Sequence, residues 1–112
     1  HLEWDASLRP QALFSEEAWL ALQPDGFRYA GSYTDMPDSI RAYEDSGYFI
    51  SSYAMTFPTE DRATLMSVIM SDKTVPEKNP GMAEKMRYYA ACIRDCFDTE
   101  GWPESTLWEY TK

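Results

Sequence analysis

Histidine is all but missing from this 112-residue chain: the single one is His1. A histidine at the first position cannot be set beside any serine, so Ser-His-Asp catalysis finds no support. Glycine is scarce as well, at five residues, and no Gly-rich phosphate loop occurs. No apolar run approaches the roughly 18 residues that a membrane-spanning helix needs, and no stretch reads as a signal peptide. Basic residues are few, ten Lys and Arg against nineteen Asp and Glu, for a formal net charge of −9. Contact with phosphates requires a basic face, so nucleic acid is not an expected partner. The acidic balance speaks first to solubility. The two cysteines, Cys92 and Cys96, fall one helical turn apart. A disulfide at that spacing would strain the helix, and two thiols do not complete a zinc site, so both read as small apolar side chains near the core. Cysteine usage leaves the compartment undecided.

Aromatic residues are plentiful: four Trp, eight Tyr and five Phe. A disordered chain is poor in these, so residues 1–112 are read as one small domain with a real core. The opening, residues 1–14, reads as a short helical piece broken at Pro10. Ser15 is a good N-cap, with Glu16 and Glu17 in the first turn of a short helix that stops at Gln23-Pro24-Asp25-Gly26. Residues 27–33 and 48–53 alternate aromatic and small residues and read as short extended segments around a polar loop. Pro58 opens a helix with an acidic first turn and a stripe of Ala63, Leu65, Met66, Ile69 and Met70. A polar linker over 74–78 follows. Asn79-Pro80 then opens a last helix carrying Met82, Met86, Tyr89, Ala90, Ile93 and Phe97. The tail, with Trp102, Leu107, Trp108 and Tyr110, is expected to pack back on the body. The fold class is thus mainly α, with short extended segments. The Met-rich positions 66, 70, 82 and 86 read as core filling. The acidic residues Asp35, Asp38, Glu44 and Asp45 lack the order of an EF-hand and read as a solvated loop.

The chemically informative stretch runs from Tyr53 to Ala63, Tyr-Ala-Met-Thr-Phe-Pro-Thr-Glu-Asp-Arg-Ala. Glu60 projects from the first turn of a rigid helix, and its carboxylate can serve as an oxygen ligand to zinc. Tyr53, seven residues earlier, can bring a phenol to the same point and donate a hydrogen bond to a developing oxyanion. Acidic residues in a first turn also complement the helix dipole without any further role, and a lone tyrosine is commonly a half-buried packing residue.

This segment resembles the third-ligand region of bacterial zincins of the anthrax lethal factor type, in which a Tyr-Ala segment leads into a helix opening Pro-x-Glu-Asp/Phe-x-Ala-Glu. Trp19 to Tyr33 and Ile93 to Trp102 look like further parts of that group. The resemblance implies that the chain is the C-terminal part of a zincin-like metallopeptidase domain. It further implies zinc as cofactor, Glu60 as a metal ligand, Tyr53 as the assisting catalytic tyrosine, and a peptide or protein as substrate. It also implies an exported location, extracellular or in a bacterial cell envelope. Two departures stand out. The motif's second glutamate is Thr64 here, and a ligand without its supporting neighbours binds metal less well. The His-Glu-x-x-His helix, source of two ligands and the general base, is absent. It is expected from a missing N-terminal part of the same domain, without which the chain is inactive. His1, followed by Leu2 and Glu3, is read either as that motif's last histidine, and so a metal ligand, or as the remnant of a tag. The alternative function is a non-catalytic helical module that binds a protein partner through Trp4, Trp19, Trp102 and Trp108.

Overall fold

The computed structural model describes residues 2–72, 74–104, 106 and 109. They are mainly helical, with no β-strand among them: α1 (Leu2–Leu8), α2 (Glu16–Ala21), α3 (Asp38–Arg41), a 3₁₀ turn (Ser52–Met55), α4 (Pro58–Ser71), α5 (Thr74–Lys78) and α6 (Pro80–Cys96). No helix is long and apolar enough to cross a membrane. Local chemistry accounts for most of the boundaries. The Ser15 side chain accepts a hydrogen bond from the Ala18 amide at 3.0 Å and caps α2. The chain then reverses at Pro24–Phe27, where Gly26 takes a φ of +79°, which only glycine adopts without strain. Pro58 and Pro80 occupy the first turns of α4 and α6, where a missing amide proton costs nothing.

Three expectations about local backbone structure are corrected. Residues 52–55 form a 3₁₀ turn rather than an extended segment, closed by Ala54 N donating to Ser51 O and Thr56 N to Tyr53 O. That turn still lies beside the other aromatic segment, through Ala30 N to Met55 O at 2.9 Å and Gly31 N to Thr56 O at 2.8 Å. Residues 74–78 are helical rather than a linker, the Asp72 carboxylate accepting from the Thr74 amide and hydroxyl just before the first turn. Asn79 makes no side-chain cap; its amide nitrogen instead donates to Val75 O of α5.

Two apolar clusters hold the chain together. The larger gathers Leu2, Phe14, Trp19, Leu65, Ile69, Met82, Ala83, Met86 and Cys92 between α1, α2, α4 and α6. The smaller gathers Ile40, Phe49, Ala54 and Met55 beneath α3 and the 3₁₀ turn. Met82 and Met86 are core residues, as expected, whereas Met70 is exposed. Trp19 is completely buried, so it packs the core and cannot meet a partner. The tail does fold back, Arg94 donating to Pro103 O and to both oxygens of Glu109. Leu107, Trp108 and Tyr110 lie outside the described residues.

Candidate functional site

The 3₁₀ turn and the opening of α4 pack against each other, and this brings Tyr53 and Glu60 together. Tyr53 is 47% exposed and its ring stacks on that of Tyr33, 61% exposed, with centroids 5.8 Å apart and planes at 23°. Phe57 lies against Tyr33 at 4.8 Å. The Glu60 carboxylate, interacting with the Tyr53 hydroxyl, pushes that phenol up to about 12, with desolvation and Tyr33 adding to it. Tyr53 therefore keeps its proton at neutral pH and stands as a hydrogen-bond donor beside a carboxylate. A shallow cavity of about 220 Å³ lies beside Tyr33 and Tyr53, lined also by Thr34, Met36, Arg41, Ser52 and Thr56.

The other side of the same helical turn faces α1. Leu2 and Glu3 share a cleft of about 290 Å³ with Thr59, Arg62, Ala63, Tyr89, Ile93 and Phe97. The Glu3 carboxylate accepts from Arg62 Nη2 at 2.5 Å, and Glu16 of α2 accepts from the same nitrogen at 3.1 Å. Arg62 is itself buried over the rings of Phe14 and Trp19, at 4.9 and 5.3 Å. The start of α1 is thus held beside the turn of α4 that follows Glu60.

Beneath Glu60 lies a polar network that the motif gave no hint of. Asp61 and Lys85 are both wholly buried, with Lys85 Nζ 2.7 Å from Asp61 Oδ2. Tyr29 donates to the same oxygen at 2.5 Å, and Trp19 Nε1 donates to the Tyr29 hydroxyl at 2.9 Å. Lys85 also donates to Tyr48 O at 2.8 Å and lies over the Phe49 ring at 4.1 Å. Burial works against both charges: it pushes the Asp61 carboxyl up and the Lys85 ammonium down to about 8, and each partner's charge opposes the shift. Asp61 Oδ1 has no hydrogen-bond partner among the described residues. A signal for this pair was present in the sequence. Stepping back one turn from Ile69 and Leu65 lands on Asp61, and Lys85 sits between Met82 and Met86 on the apolar stripe of α6.

A catalytic zinc site draws on about three protein ligands. Among the described residues no three His, Cys, Asp or Glu side chains come together, so Glu60 with its tyrosine is an incomplete donor set. His1, the other expected ligand, lies outside the described residues. Thr64, in the place of the motif's second glutamate, turns its hydroxyl back onto Asp61 O at 3.0 Å and offers nothing to Glu60. Cys92 is buried, and that burial pushes its thiol up to about 11, so it keeps its proton at neutral pH. No known family's sequence model, no curated protein and no solved structure matches the chain.

Proposed function

We propose that this chain is the C-terminal part of a zincin-like peptidase domain, in which Glu60 supplies the third zinc ligand and Tyr53 the hydrogen bond to the oxyanion. The observation that supports it best is the pairing of Tyr53 and Glu60 on an exposed aromatic face at the opening of α4. The start of α1 also lies on this helix, Leu2 and Glu3 sharing a cleft with Thr59, Arg62 and Ala63 in its first turns. The two remaining ligands and the general base come, in this reading, from a His-Glu-x-x-His helix upstream. Zinc is the cofactor of the completed domain, and a peptide or protein is its substrate. Tyr53 is suited to its part because it stays protonated across the neutral range.

The test is peptide hydrolysis by the polypeptide that includes the segment upstream of Leu2. Tyr53→Phe is expected to lower kcat by about 10²–10³-fold with little change in KM, as loss of one oxyanion donor does. Glu60→Gln is expected to lose zinc and activity together. Absence of a His-Glu-x-x-His upstream, or full activity in Tyr53→Phe and Glu60→Gln, overturns the proposal. That result would favour a helical module that binds protein without chemistry.

A further inference from the structure

We infer that Asp61, clamped by buried Lys85 and Tyr29, is the positioning residue that aims Glu60 at Tyr53. The inference rests on the zinc-site reading for its use, though its geometry stands apart from it. Successive helical residues point about 100° apart, so fixing the azimuth of one side chain in the first turn fixes its neighbour. The opening of α4 needs such a device. Its N-cap residue, Phe57, makes no side-chain hydrogen bond, and the first amides of a helix have no partner within it. Side chains below the turn do the holding instead. Asp61 Oδ2 receives Lys85 at 2.7 Å and Tyr29 at 2.5 Å, while Tyr29 is in turn fixed by Trp19 and Lys85 by Tyr48 O. With Asp61 pointed into the core, Glu60 is left facing out toward Tyr53.

An apolar pair of similar volume would fill the same space, and such replacements are commonly neutral for stability. It would pack without fixing direction. The ion pair adds an orientation that hydrophobic packing does not supply, which is the property a ligand carboxylate requires.

The test uses ¹³Cζ-labelled tyrosine and follows the Tyr53 resonance at neutral pH, with Glu60→Gln marking its position when the carboxylate is removed. The double variant Asp61→Leu/Lys85→Met removes both charges together, so neither is left buried alone, while the Tyr29 hydroxyl loses its acceptor and Tyr48 O its donor. It is expected to fold and to move the Tyr53 resonance at least halfway to the Glu60→Gln position. Tyr29→Phe, which removes one hydrogen bond to Asp61, is expected to move it the same way by less. Ser15→Ala, which weakens the chain through the cap of α2, is expected to leave it in place. A folded double variant with Tyr53 unmoved overturns the inference. Should the double variant not fold, an unmoved Tyr53 in Tyr29→Phe overturns it equally. Loss of zinc binding in the whole domain is a separate outcome that bears on Glu60 as a ligand and not on what aims it.

Discussion

Asp61 and Lys85 face the steepest energetic demand of any pair described here. Neither touches solvent, and each is tolerable only because the other is 2.7 Å away. Removing one partner strands a buried charge, so Lys85→Met is expected to cost about 3–5 kcal/mol in urea unfolding. Asp61→Leu/Lys85→Met is expected to recover most of that loss. A single variant as stable as the parent would contradict the described burial. The cysteines give a second check at this scale. Cys92 is 1% exposed and its thiol is held high by burial, whereas Cys96 is only partly buried. Ellman's reagent is expected to modify Cys96 first in the native chain at pH 7.5, and Cys92 only on unfolding.

The elements divide between those written in local chemistry and those written in contacts. The helices α2, α4 and α6 were legible because a capping serine or an N-terminal proline marks each start and an apolar repeat marks the body. The pairing of Tyr53 with Glu60 was legible for the same reason, since both lie on one short stretch. The 3₁₀ turn was read as extended because its lead-in alternates. Alternation reports which residues are buried, and a tight turn with Ala54 and Met55 inward buries them as well. The stripe of α4 holds at Leu65, Met66 and Ile69, whereas Ala63 and Met70 are exposed and the buried face is completed by Asp61 and Arg62. Both are charged, and their partners on α1, α2 and α6 explain why they go inside. One close approach between elements gives a test. A Cβ on Gly81 would come within 2.7 Å of the Tyr48 ring, so α6 enters the fold over that ring only because residue 81 has no side chain. Helix propensity alone favours alanine there by up to about 1 kcal/mol. Gly81→Ala is nonetheless expected to destabilise by about 1–2 kcal/mol in urea unfolding, overpacking outweighing propensity. A gain in stability would show that Tyr48 moves aside freely.

At the scale of the molecule, arginines join segments distant in the chain. Arg9 links α1 to Asp95 at 2.7 Å, Arg62 ties α4 to Glu3 and Glu16, and Arg94 ties α6 to Glu109 of the tail. Their acidic partners make stability depend on pH. Glu109 is lowered from 4.5 to about 2, first by its hydrogen bond to Arg94. Its folded pKa lies below its unfolded one, so its contribution is complete above about pH 4.5 and is lost as the pH falls toward 2. Asp95, held low first by the Leu13 amide and then by Arg9, acts in the same sense. Thermal melts are expected to fall steeply across that range and less steeply in Glu109→Gln. An unchanged slope in the variant would contradict the docking of the tail.

The direct test of the account as a whole is calorimetric titration of zinc into the polypeptide that includes the segment upstream of Leu2, into its Glu60→Ala variant, and into the present chain alone. The account predicts one zinc per molecule for the whole domain. It predicts binding weakened by on the order of 100-fold or more in Glu60→Ala, beyond what loss of a merely supporting residue produces. It predicts only weak binding to the chain alone, whose described residues offer an incomplete donor set. Zinc binding indifferent to Glu60→Ala, or none in the whole domain, would contradict it.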